Sequence, residues 1–354
     1  EEGLMRVLVT GGLGMVGVNY AAHRLGLGDS VVVLDDCSRG QSCRSNAVWL
    51  REQVGKGQLE ILVDSVDDRW SLDEALNRFD GIDWVLHAAA QSSVNVSIEN
   101  PELDFASNVM GTFRLLEALR VRAPRARMIF MASNKVYDVT DWPVEIVGPR
   151  YRWVGKRVGP AEERPFHTDA REPYGASKIS GMYYCRCYAA MYDMPIVISV
   201  PSGMYGPRQF GKEEQGWLGW FVIAAALNLP VKIFGDGFQV RDMLYVDDVC
   251  RAYDILFDKA EIYKGEVFNL GGGPANAISL TEALQKIAAV SGVVPRLEYV
   301  DWRPQDNRVY VSNIAKMLSL GWGPSVPIGE GIQRQYSWVS KEKELISQHY
   351  REEG

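Results

Sequence analysis

Across the first 200 residues, short runs of β-branched and aliphatic side chains alternate with longer stretches whose apolar positions recur at helical spacing. The runs Arg6–Thr10, Ser30–Asp35, Leu59–Val63, Trp84–Ala88, Arg127–Ala132 and Ile196–Val200 predict strands; Met15–Leu25, Pro101–Arg122 and Ser177–Tyr192 predict helices. Strands that are apolar on both faces, with helices between them, belong in a parallel sheet. Each parallel pair needs a crossover, and the crossover helix covers a face of the sheet. The predicted class is therefore α/β, a doubly wound parallel sheet. Beyond residue 200 the rhythm gives way to Gly/Pro-rich loops and isolated helices, which reads as a smaller α+β region. One helix start is explicit there: Ser279-Leu280-Thr281-Glu282 has the form of a capping box.

Composition narrows the partners. A net charge of -7 argues against a general nucleic-acid binder, so an anionic ligand must be met by a few arginines and backbone amides. No apolar run approaches the ~18–20 residues of a membrane span. No signal peptide precedes the first strand and Met5 reads as a natural start, so a cytoplasmic protein without membrane partners is expected. Five cysteines (Cys37, Cys43, Cys185, Cys187, Cys250) follow no zinc or disulfide spacing, and the four histidines are scattered. Reduced thiols and no metal site are expected.

The first candidate chemistry follows the first strand, at Gly11-Gly12-Leu13-Gly14-Met15-Val16-Gly17. Glycines there permit a tight turn and let backbone amides approach a pyrophosphate at a helix N-terminus, the dinucleotide-binding arrangement of a Rossmann-type sheet. Asp35, ending the second strand 18 positions after Gly17, is placed to bind the adenosine ribose hydroxyls. A carboxylate there repels a 2′-phosphate, which favours NAD over NADP; the competing reading is a strand-end turn residue. Asp64, closing the third strand, is either an adenine contact or a solvated loop acid.

Tyr174-Gly175-Ala176-Ser177-Lys178 places a phenol and an ammonium on one helix face. Tyrosine ionises near pH 10, and a neighbouring cation lowers that value, so Tyr174 is a candidate base for a hydroxyl proton and Lys178 its helper. Ser133 lies just past the fifth predicted strand, at the edge that faces the cofactor crevice in such sheets. It either binds the reacting oxygen or caps a turn.

Together with His87-Ala88-Ala89-Ala90-Gln91, Asn108-Val109-Met110-Gly111-Thr112, Val240-Arg241-Asp242-Met243 and Arg303-Pro304-Gln305-Asp306, these residues resemble the extended short-chain dehydrogenase/reductase family. That family includes nucleotide-sugar epimerases and dehydratases, and the resemblance runs from Met5 through essentially the whole chain. It implies a Rossmann domain over 5–200 plus about 242–272, and a substrate-binding domain over about 201–241 and 273–350. Catalysis would fall to Ser133, Tyr174 and Lys178. NAD would be held by Gly11, Gly14, Met15, Val16, Gly17, Asp35, Asp36, Ser38, Arg39, Asp64, Ser65, Ala88, Ala89, Gln91, Asn108, Tyr174, Lys178, Pro201 and Met204. The substrate would meet Ser133, Asn134, Lys135, Ser202, Gly203, Arg208, Gln209, Gln215, Arg241, Arg303 and Asp306, with the arginines on its diphosphate.

The segments Ser133–Tyr137, Ser202–Phe210 and Gln215–Phe221, and the long stretch 138–173, are similar to those of CDP-sugar 2-epimerases within the family. A CDP-sugar substrate is thus favoured, with a UDP-sugar next. The rival activities are a UDP-hexose 4-epimerase and a 4,6-dehydratase, the latter disfavoured because Asn134-Lys135 stand where that chemistry uses Asp-Glu. A non-catalytic NAD-sensing or scaffold protein is the reading from another class. The aromatic- and arginine-rich stretch 138–173 reads equally as a lid or as packing. A homodimer or homotetramer is expected from the family.

Overall fold

In the computed structural model, residues 3–55, 57–155, 157–164, 171–213, 215–303 and 306–352 are described; Pro304 and Gln305 of the arginine motif lie outside them. The described chain forms two compact units: 3–136, 171–200 and 250–268 make the first, and 137–164, 201–249 and 269–352 the second.

The first unit is built on a seven-stranded sheet: β1 (Arg6–Thr10), β2 (Ser30–Asp35), β3 (Leu59–Val63), β4 (Trp84–His87), β5 (Arg127–Met131), β6 (Ile196–Pro201) and β7 (Val267–Leu270). Their spatial order is β7-β6-β5-β4-β1-β2-β3. The β1–β2, β2–β3, β1–β4, β4–β5 and β5–β6 pairs are all parallel. This is the Rossmann order, in which the chain reverses its direction of travel between β1 and β4 and opens a crevice at the C-terminal strand ends. Val7, Leu8, Val9 and Val31 to Leu34 are buried, as continuous apolar strands under two helical layers require. β7 was not visible in the sequence pattern: it has only four residues, and one is Asn269.

Helix α1 (Met15–Gly26) follows the glycine turn, and α2 (Gly111–Arg122) and α3 (Pro173–Tyr192) flank the far half of the sheet. Pro173 sits at the first helical position of α3, where its missing N–H costs nothing. This start lies four residues earlier than expected and brings Tyr174 inside the helix. A Cβ on Gly181 would lie 2.6 Å from the Phe130 ring, so glycine is what lets α3 lie close on β5. The helix expected over Pro101–Arg122 is interrupted: Pro101–Phe105 is α-helical, Ala106–Met110 forms a π turn, and α2 resumes at Gly111.

In the second unit, strand Val240–Tyr245 pairs in parallel with Gly203–Tyr205 and Val309–Tyr310, and antiparallel with Ala277–Ser279. Its core gathers the helices Trp217–Leu227, Leu280–Ser291 and Ile328–Lys341. Leu218 to Ala225 are all buried, which explains a helix apolar on every side. The capping box forms as read: Ser279 accepts from the Glu282 N–H, and Glu282 accepts from that of Ser279. The insertion contributes a hairpin, Val144–Ile146 with Tyr151–Trp153. It is tied down by Arg150 on Glu282 (2.9 and 2.6 Å), Tyr151 on Asp236 (2.6 Å) and Ser279 on the Pro149 carbonyl (2.8 Å). No helix among the described residues is long and apolar enough to cross a membrane.

Candidate active site

The glycine turn begins where β1 ends. Gly11 takes φ +64°, which glycine adopts without strain, and a Cβ there would lie 2.6 Å from backbone atoms of Ala89. On Gly17 a Cβ would lie 2.3 Å from the Gly11 carbonyl oxygen. Gly14 differs. Its φ of -70° suits any residue, and a Cβ would meet nothing nearer than the Gly11 oxygen at 3.3 Å. Torsion does not demand glycine there; the tight approach to the Gly11 carbonyl favours it, and glycine also leaves open the space at the start of α1. Met15 and Val16 open that helix, which has no side-chain cap and no acidic residue in its first turn. Such a bare N-terminus suits a phosphate.

Asp35 braces this turn from the neighbouring strand. Its carboxylate accepts from the Leu13 N–H (2.9 Å) and the Cys37 N–H (2.9 Å), and burial raises its pKa. Beside it, Asp36 accepts from the Ser38 N–H (2.9 Å), Arg39 donates to Ser92 (2.8 Å), and Asp64 accepts from the Ser65 N–H (2.8 Å). The Asp64 N–H in turn donates to the Asp35 carbonyl (3.1 Å), so these residues cluster at the ends of β2 and β3.

At the end of β5 the fold joins Ser133, Tyr174 and Lys178. The Tyr174 phenol is buried, and the nearby Ser133 hydroxyl acts to lower its pKa. Lys178, fully buried, donates to the Met131 carbonyl (3.0 Å) and lies 5.3 Å from the Phe130 ring centre. The expected electrostatics are corrected here. Burial dominates and pushes Tyr174 up to about 12; the main opposing influence is Ser133 rather than Lys178. Burial also brings Lys178 down to about 8, opposed by the nearby Asp104. Among the flanking residues, Asn134 approaches the Ser133 hydroxyl (3.4 Å), and the Lys135 N–H donates to it (3.3 Å).

Asp104, which sequence reasoning missed, organises the ground beneath this group. Its carboxylate accepts from Gln91 (3.0 Å) and Asn108 (3.0 Å), and Asn108 also reaches the Gln91 carbonyl and the Ser177 hydroxyl (3.0 Å each). The Ser177 hydroxyl donates to the Tyr174 carbonyl (2.9 Å). The available signal was Asp104 lying four positions before Asn108, one helical turn away.

The second unit holds the remaining candidates. Pro201 ends β6, and Ser202 donates from its hydroxyl to the Asp242 carbonyl (2.9 Å). Gly203 and Met204 lie in the strand beside Val240–Tyr245; a Cβ on Gly203 would strike the Met243 sulfur at 2.6 Å. Gln209 donates to the Met204 carbonyl (3.2 Å) and packs on Gly216 and Gly219, Gln215 bridges to Lys212, and Arg208 is buried with φ +62°. Arg241 and Asp306 form an ion pair at 2.6 Å. Arg303 donates to the Glu213 carbonyl (2.7 Å) and lies 3.8 Å from the Phe234 ring centre.

The family model of the NAD dependent epimerase/dehydratase family matches residues 7–271. The chain belongs to that family. NAD is the family's cofactor, and the bare helix terminus behind Gly14 and the carboxylate of Asp35 fit a dinucleotide. The chain is 33% identical over 343 residues to a CDP-paratose 2-epimerase of Salmonella typhi, covering 95% of this chain and 99% of that one. It is 32% identical over 331 residues to a UDP-glucose 4-epimerase of Mycolicibacterium smegmatis, covering 93% and 97%. Among solved structures, the Thermus thermophilus UDP-glucose 4-epimerase complexed with NAD superposes with a TM-score of 0.77 at 30% identity, covering 94% of this chain and 98% of that one.

Proposed function

We propose that this member of the epimerase/dehydratase family is a nucleotide-sugar 2-epimerase acting on a CDP-sugar of the paratose/tyvelose type. The observation that carries the chemistry is the buried Tyr174 phenol, its ionisation favoured by the Ser133 hydroxyl, on the same helix as the buried Lys178 at the C-terminal edge of a parallel sheet. Bound NAD supplies hydride acceptance and return at the sugar carbon. Tyr174 takes the proton of the C2 hydroxyl and later restores it, while Ser133 holds the reacting oxygen. A phenol that burial pushes up to about 12 needs a further positive charge to ionise at neutral pH, which the oxidised nicotinamide of bound NAD would supply. Inversion requires the planar keto-sugar to turn while its diphosphate stays held, and Arg241 and Arg303 are the side chains assigned to that hold.

The similarity to the Salmonella typhi enzyme and the Gln215–Phe221 segment support C2 and a CDP-sugar. A UDP-hexose 4-epimerase is the second reading, favoured by the comparable identity to the Mycolicibacterium smegmatis enzyme. The test is a CDP-sugar deuterated at C2, with the product examined by NMR. Deuterium retained at an inverted C2 supports the assignment. Inversion at C4 supports the second reading, and complete loss of label to water refutes internal hydride return. Self-association belongs to the same proposal: Leu103, Phe105, Tyr183, Tyr184 and Met191 expose apolar surface on the helices assigned to a homodimer or homotetramer, and light scattering reads the mass.

A further inference from the structure

The turn that carries Asp35 also carries a feature the family chemistry does not use. In sequence, Asp35, Cys37 and Cys43 match no metal-binding pattern, but the fold draws them together. Cys37 adopts φ +55°, a left-handed conformation unfavourable to a non-glycine residue, and its N–H is bound back to Asp35. The Gly40 N–H then donates to the Cys37 carbonyl (2.8 Å), and Gly40, at φ +63°, starts the helix Gln41–Glu52. Cys43 is the third residue of that helix, so the reversal returns it to the end of β2. As a result, one carboxylate oxygen of Asp35 and the Sγ atoms of Cys37 and Cys43 all lie within 4.8 Å of one another. Cys43 and Asp35 are buried, while Cys37 is half-buried and keeps one side of the group open to solvent.

We propose that Asp35, Cys37 and Cys43 form a binding site for a soft divalent metal ion of the zinc or cadmium type, and that this ion competes with the cofactor for Asp35. Two thiolates and a carboxylate oxygen fill three corners of a tetrahedron, and solvent on the Cys37 side takes the fourth. The balance is simple: both thiols release a proton to water, two metal–sulfur bonds and one metal–oxygen bond form, and nothing is oxidised or reduced. Three ligand charges against the ion's two leave one negative charge. Burial and the Asp35 charge raise both thiols, Cys43 to about 12, so the ion itself must draw off their protons; the uncapped start of the helix Gln41–Glu52, Arg39 and Arg44 act in the same direction as the ion. A carboxylate bound to metal no longer offers its charge to ribose hydroxyls, so occupancy by one ligand weakens the other. Only this competition rests on the assignment of Asp35 to the cofactor; the metal site itself rests on the three side chains.

The test is titration of the reduced, full-length chain with cadmium, followed by thiolate-to-metal charge-transfer absorption in the ultraviolet, with and without NAD. The expected result is one ion per chain, with affinity reduced roughly tenfold or more in both Cys37→Ser and Cys43→Ser. Cys187→Ser, which removes an exposed thiol elsewhere, should bind cadmium as the unmodified chain does. Circular dichroism checks that each variant is folded; if the buried Cys43→Ser is not, the half-buried Cys37→Ser carries the comparison. Added NAD should diminish the band, and the apparent Kd for NAD should rise in proportion to free cadmium. No band, or a band unchanged in folded Cys37→Ser, overturns the site. A band indifferent to NAD overturns the competition, and because the band does not depend on turnover, neither result bears on the epimerase assignment.

Discussion

Replacing Lys178 by methionine should make the protein more stable at neutral pH while destroying its activity. The side chain is fully buried, and burial brings its pKa from 10.5 to about 8 although Asp104 opposes the change. The unfolded chain therefore holds this proton more tightly than the folded one. Below about pH 8 both states are charged and the folded state bears the full penalty, ~3 kcal/mol for that difference in pKa. As pH rises from about 8 toward 10.5 the folded state sheds its proton first, the penalty fades, and stability rises. Lys178→Met removes the penalty but leaves the Met131 carbonyl without its ammonium donor, a loss of ~1 kcal/mol. The net gain at pH 7 is then ~2 kcal/mol, shrinking to about zero by pH 9.5. Urea unfolding of both proteins at the two pH values, without NAD, measures this directly. A variant less stable at pH 7, or a difference that does not change with pH, would refute the reasoning.

Other substitutions probe separate parts of the molecule. Tyr174→Phe should lower kcat by ~10²–10⁴-fold, the range for a lost acid/base group, while circular dichroism stays unchanged. Gly11→Ala puts a Cβ 2.6 Å from the Ala89 backbone at a left-handed φ, so NAD affinity by calorimetry should collapse, with stability falling by ~1–3 kcal/mol. Arg241→Leu strands the Asp306 carboxylate and removes a phosphate donor; KM for the nucleotide-sugar should rise by tenfold or more, roughly one charge-assisted hydrogen bond, with a smaller change in kcat. Glu282→Ala removes both the capping box and the anchor of Arg150, and denaturation should show a loss of ~1–2 kcal/mol.

The first half of the sheet was legible because its strands are continuous apolar runs and its glycine turn has a strand before it and a helix after. Val7 to Thr10 and Val31 to Asp35 could hardly be read otherwise. The helix Gln41–Glu52 escaped notice because Arg44, Ser45 and Asn46 interrupt its apolar face; in the fold, Asn46 instead donates to the Leu13 carbonyl (2.9 Å). Tyr174 and Lys178 were nameable from their spacing and Ser133 from its place just past a predicted strand; in the fold Lys178 reaches the Met131 carbonyl at the end of that strand. The ionisation of Tyr174 was misjudged, since spacing reports a neighbour's charge but not the burial that outweighs it. Asp104 was overlooked because an acid on a helix is ordinarily solvated, and only tertiary packing places this one against Gln91 and Asn108.

The π turn at Ala106–Met110 places Asn108 on a segment that holds one residue more than a regular helix would. Losing any single residue there would let the hydrogen-bond ladder close evenly, a gain for the backbone. It would also rotate the flanking halves of the helix by ~100° relative to each other, carrying Asn108 away from Ser177. Surface connections tolerate length variation; here, inside a helix, a deletion that favours folding would dismantle the contacts around Tyr174.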